Sequence, residues 1–87
     1  MSGIIESKAE FPKNTYGLSE REISVLQLMA MGLNNKMIGA ELAISYRTIE
    51  LHVSNIINKM LTPKDKMVSD CRCRAVWLAY QQGLIEV

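Results

Sequence analysis

Arg47, Glu50, Leu51 and Ser54, in the stretch SYRTIELHVSNIINKM, carry side chains suited to recognition. They offer a guanidinium fork, a carboxylate acceptor, an apolar tip and a hydroxyl that both donates and accepts. Their spacing makes them neighbours on a helix. They lie away from Ile49, Val53, Ile56 and Met60, whose steps of four, three and four trace one apolar stripe. The chemistry this favours is non-covalent reading of a surface laid against the helix. Covalent chemistry has little to stand on. His52 is the single histidine and follows the core-facing side. There is no nucleophile–base pairing, carboxylate cluster or phosphate-cradling glycine loop, so no enzyme activity is expected. Cys71 and Cys73 are the only cysteines. They are too close to close a useful disulfide loop and too few for a zinc site, so no metal and no cofactor are expected. Free thiols fit a cytoplasmic location.

A chain of 87 residues is one small domain whose helices must share one core. No apolar run reaches the roughly 18 residues of a membrane span, and MSGIIESKAEF lacks the plan of a secretion signal. The net charge of +1 argues against a strongly cationic coat, although basic residues outnumber acidic ones from Ser45 to Arg74. Pro12, Asn14 and Gly17 mark residues 1–17 as an arm or loop. Residues 18–87 read as one all-α domain of four helices, over 19–31, 35–43, 46–60 and 70–82. The first opens on Ser19 and Glu22, which have capping-box spacing, and Ile23, Leu26 and Ala30 set its apolar stripe. The second is barely two turns long and must lean on its neighbours. The third starts after Ser45, a good N-cap, and ends before Pro63. The tripeptide Ala43-Ile44-Ser45 joins the second to the third as a helix-turn-helix.

The fourth helix has two apolar faces. Ala75, Leu78 and Ala79 make one; Cys73, Val76, Trp77 and Tyr80 make the other. A chain this short cannot easily bury both, which points to a partner helix across the second face. Packing of Trp77 and Tyr80 within their own domain is the simpler alternative.

The run from Gly17 to Met60 resembles the LuxR/FixJ/NarL/GerE-type helix-turn-helix DNA-binding domain. The residues that carry the resemblance include Leu18, Ser19, Arg21, Glu22, Gly32, Asn35, Lys36, Ile38, Leu42, Ile44, Ser45, Thr48, Ile49, His52, Ile56 and Lys59, with Gly83-Leu84-Ile85 at the end. Met37 stands where the family usually has Glu, and Gly39 where it often has Ala. Glu50 replaces a commonly basic or polar residue, and the segment between Lys59 and Ala75 is longer than usual. With nothing large before it, the chain is expected to resemble the free-standing GerE-like members.

The resemblance implies a bacterial transcription regulator whose helix 46–60 enters the DNA major groove. Arg47, Glu50, Leu51 and Ser54 would then face the bases: Glu50 accepting from cytosine N4, Leu51 touching a thymine methyl, Arg47 reaching guanine or phosphate. Thr48, Lys59, Asn35 and Lys36 resemble the family's phosphate contacts, and Lys64 and Lys66 in the long loop would add two more. Arg47 and Glu50, three apart, have the alternative of pairing only with each other, and Asn35 that of being only a helix cap. The family commonly pairs through its last helix. A homodimer through Cys73, Val76, Trp77 and Tyr80 would place two reading helices on half-sites about 10 bp apart. Expected partners are double-stranded DNA, a second copy, and RNA polymerase or another regulator. The rival function is a small protein-interaction module that holds another regulator and binds DNA weakly or without specificity.

Overall fold

The computed structural model describes residues 14–67 and 70–86; most of the expected arm, residues 1–17, lies outside them. The described chain is all-α. Its helices are α1 (Glu20–Ala30), α2 (Asn35–Leu42), α3 (Tyr46–Met60) and α4 (Cys71–Gln81), with a 3-10 turn at Asp65–Met67 between α3 and α4.

Each helix begins on a local signal. Ser19 and Glu22 form the reciprocal capping box: Glu22 N–H donates to Ser19 Oγ at 3.1 Å and Ser19 N–H to Glu22 Oε1 at 2.9 Å. Asn34 caps α2, Ser45 caps α3 and Asp70 caps α4, each accepting from the N–H three residues on. These bonds satisfy backbone donors that helix geometry leaves without partners. The end of α4 is a Schellman closure. Gly83, at φ 75°, turns the chain so that its N–H reaches Tyr80 O at 3.0 Å and Leu84 N–H reaches Ala79 O at 2.9 Å.

Helix α3 is the hub, packed against α1, α2 and α4. The stripe Ile49, Val53, Ile56 and Met60 is buried, and meets Ile38 from α2, Val25, Leu26 and Met29 from α1, and Ala75 and Ala79 from α4. On α1 the inward face is centred on Glu22, Val25, Leu26 and Met29, whereas Ile23 and Ala30 are only half-buried. A stripe sought by apolarity passes over its first member because that member is charged. The segment after α4 folds back: Leu84 and Ile85 are buried, and Gln27 clasps Glu86 by donating Nε2–H to Glu86 O at 2.6 Å and accepting its N–H at 3.0 Å.

The corner between α2 and α3 is tight for two reasons. Ala43 takes the left-handed conformation, φ 57° and ψ 45°, and Ile44 N–H bonds Gly39 O at 2.9 Å. The carbonyl of Ile44 then lies 2.6 Å from where a Cβ on Gly39 would sit. That contact accounts for glycine at a position where alanine is a better helix former by about 1 kcal/mol. Gly39→Ala is therefore expected to destabilise the domain by about 1–2 kcal/mol despite its helix propensity, as overpacking against backbone does. Denaturant unfolding followed by helical circular dichroism measures it. A variant as stable as the parent would show that the corner yields without cost.

Candidate nucleic-acid interface

The corner presents the N-terminal half of α3 outward. Because α3 buries one stripe, the residues a half-turn away must face solvent, and Arg47, Glu50, Leu51 and Ser54 are all exposed. Leu51 is 63% exposed. His52 is half-buried. Arg47 makes no ion pair with Glu50 among the described residues. The Glu50 carboxylate, one turn after Tyr46, pushes the Tyr46 hydroxyl up in pKa.

The residues with an expected role at phosphates are in different states. Lys36 and Lys64 are exposed. Lys66 is exposed and its Nζ donates to Asn58 Oδ1 at 3.1 Å, which lays the loop beside the C-terminal half of α3. Thr48 is exposed, with its hydroxyl 2.9 Å from Ser45 Oγ at the cap of α3. Asn35 is half-buried and its Oδ1 accepts from Arg72 Nη1 at 2.8 Å. Lys59 is exposed, but its ammonium is engaged by the domain. That ammonium lies 2.8 Å from Glu22 Oε1 and 3.3 Å from Gly17 O, so its charge is matched at the edge of the domain by the buried carboxylate. Glu22 is the buried charged residue of the core, 4% exposed. Burial pushes its pKa up. The Lys59 hydrogen bond, the Ser19 N–H and the Lys59 charge together outweigh that and hold it below the ordinary carboxylate value.

The second face of α4 is open. Trp77 is 49% and Tyr80 51% exposed; Cys73 is exposed and Val76 half-buried. Ala75 and Ala79, on the other side, are fully buried. The Arg74 guanidinium lies 4.8 Å from the centroid of the Trp77 ring, and its Nε and Nη2 also bond Asp65 Oδ1 at 3.2 and 3.0 Å. Asp65 additionally accepts from Thr62 N–H and Thr62 Oγ1–H. The long segment between α3 and α4 is thus pinned to α4 beside the aromatic pair.

Sequence reasoning missed three couplings: Lys59 with Glu22, Arg72 with Asn35, and Arg74 with Asp65 and Trp77. Only the last had a local signal, an arginine three residues before a tryptophan on one helix. Among the described residues no cluster could hold a metal ion, and no helix is long and apolar enough to cross a membrane.

Comparison with known proteins agrees with the fold. The family model described as bacterial regulatory proteins, luxR family, matches residues 16–69. Transcriptional regulatory protein DegU of Brevibacillus brevis is 49% identical over 80 residues, which cover 92% of this chain and 31% of that protein. Transcriptional regulatory protein LnrK of Bacillus subtilis is 47% identical over 60 residues, 69% of this chain and 26% of that one. Transcriptional regulatory protein FixJ of Azorhizobium caulinodans is 42% identical over 55 residues, 63% of this chain and 26% of that one. The chain thus spans about a third or less of the length of these curated relatives.

Proposed function

This chain belongs to the luxR family of bacterial regulatory proteins and carries its helix-turn-helix DNA-binding domain, and from that premise we propose that it regulates transcription by reading a DNA sequence in the major groove with α3. The observation that carries the reading is the division of α3. One stripe is buried completely enough to anchor the helix, and Arg47, Glu50, Leu51 and Ser54 stand together on the free side of its N-terminal half. A helix about 10–12 Å across fits a groove about 12 Å wide. In that position the arginine, carboxylate, methyl-bearing and hydroxyl groups meet base edges. Asn35, Lys36, Thr48, Lys64 and Lys66 meet phosphates and set the register. Lys59 serves first as the counterion of Glu22. The open face of α4 pairs two copies about a two-fold axis, and the operator is an inverted repeat with half-sites about 10 bp apart.

The test is selection of the purified protein against a randomised duplex pool at low and moderate salt. Recovery of a palindromic motif at moderate salt is the expected result. Binding only at low salt and without a motif would mean that phosphate attraction remains without base reading. That outcome would favour the second reading, an interaction module for RNA polymerase or another regulator, which the exposed Trp77 and Tyr80 and the net charge of +1 support. With a motif in hand, Glu50→Ala is expected to relax preference at one base position of each half-site, at a cost of about 1–3 kcal/mol on the preferred base. Lys36→Ala is expected to weaken all duplexes alike and to reduce the salt slope by about one. Competition binding with singly substituted duplexes separates the two effects.

A further inference from the structure

Arg72, in the first turn of α4, reaches across the domain to the start of α2. Its Nη1 donates to Asn35 Oδ1 at 2.8 Å and its Nη2 to Leu33 O at 3.2 Å. A guanidinium has donors only, so the Asn35 atom that faces it must be the amide oxygen. The amide nitrogen then points the other way. Among the described residues no protein acceptor takes its protons. Asn35 shares a recess with Asn34, Lys36, Tyr46 and Arg72, between the N-terminal ends of α2 and α3.

We propose that Arg72 is a positioning residue for DNA binding, holding the Asn35 amide nitrogen toward a backbone phosphate beside Lys36. The inference rests on the DNA-binding reading above and names a device within it. A phosphodiester oxygen only accepts hydrogen bonds. An unheld asparagine amide has two orientations of similar shape, and one of them would face that phosphate with its own oxygen. Arg72 removes the unproductive one. Its two anchors, Asn35 and Leu33, fix the guanidinium plane, which a lysine ammonium on a flexible stem does not reproduce. Arg72 is half-buried and directs one donor of each terminal nitrogen to Asn35 and Leu33, and in this proposal it acts on the phosphate through Asn35.

The experiment is a double-mutant cycle on the full chain, with affinities for the selected duplex measured at several salt concentrations. Unfolding midpoints and the Asn35 side-chain amide signals in the nitrogen–proton NMR spectrum are followed in parallel. Arg72→Ala and Asn35→Ala are each expected to weaken binding about fivefold to tenfold, and the double variant no more than either alone. Arg72→Lys keeps the charge and the fold, and is expected to bind about fivefold more weakly at an unchanged salt slope. In the parent protein the Asn35 amide signals shift on duplex addition; in Arg72→Lys that shift is lost. Additive losses, rescue by lysine, or a slope reduced by about one in Arg72→Ala would mean that Arg72 bonds phosphate itself, and would overturn the proposal. A lowered unfolding midpoint with parental affinity would also overturn it, leaving Arg72 a purely structural tie. If the parent chain selects no motif, the DNA-binding reading falls and this inference with it. If it selects one and the cycle is additive, only the role of Arg72 falls.

Discussion

Trp77→Ala combined with Tyr80→Ala is expected to yield a folded protein that sediments as a monomer and binds a palindromic duplex at least about a hundredfold more weakly than the parent. The two rings are half exposed, so each has about half of the 150–250 Å² of an aromatic side chain left to bury against a partner. Trp77 is already held by Arg74 at 4.8 Å, so covering it costs little side-chain freedom. The double variant leaves the core alone, because Ala75 and Ala79 supply the buried side of α4. Arg74 keeps its bond to Asp65 when the indole is gone, so the segment between α3 and α4 stays fastened. What is lost is bivalence: one half-site contact no longer raises the effective concentration of the other. Analytical ultracentrifugation and duplex binding check both parts. A parent chain that is monomeric and binds the palindrome normally would end the dimer proposal.

Glu22→Ala is expected to lower the free energy of unfolding by about 2–3 kcal/mol. The carboxylate caps its own helix through Ser19 N–H and holds Lys59 across the core. Its removal breaks both at once. The loss stays below that of a fully buried pair because the Lys59 side chain is 40% exposed and its ammonium can turn to water. Glu22→Gln keeps an acceptor for Ser19 N–H and gives up the charge, so its cost is smaller, about 1 kcal/mol. The two variants also differ in pH response. The Glu22 pKa is held below its ordinary value because Lys59 and Ser19 outweigh the opposing effect of burial. As pH falls, the unfolded chain takes up the proton first, near its ordinary value of about 4.3. The stability from this group is therefore complete above that value and is lost as pH drops through the lower folded value. Unfolding free energy in Glu22→Gln should accordingly fall less steeply with acid than in the parent. Some slope remains, since Asp65 and Asp70 are also held low, chiefly by Thr62 N–H and Cys73 N–H respectively. Parallel acid slopes in parent and variant would show that the Lys59–Glu22 pair does not couple to folding.

Much of the architecture was legible in the chain because its signals are short. Ser19 with Glu22, Asn34, Ser45 and Asp70 each announce a helix start to donors within three residues. Periodicity within α3 separates anchor from free face, so Arg47, Glu50, Leu51 and Ser54 were accessible as the complement of a stripe. The two faces of α4 were accessible in the same way, although only the folded domain shows which one the core takes. The couplings between helices were not legible. Lys59 finds Glu22, and Arg72 finds Asn35, each across 37 positions. No local pattern encodes a meeting of that range; it follows from how α1, α2 and α4 stand around α3. Gly39 belongs with them. Its lack of a side chain reads locally as a weak helix residue, and only the approach of the Ile44 carbonyl explains it.

The clasp between Gln27 and Glu86 has a consequence in time. It joins residues 59 positions apart, so the entropy of closing that long loop must be met before the bond can form. The corner of Gly39, Ala43 and Ile44 is made by contacts a few residues long, which close far sooner. The corner is therefore expected to form early in folding and the clasp late, and hydrogen exchange pulsed during refolding would show the Ile44 amide protected before that of Glu86.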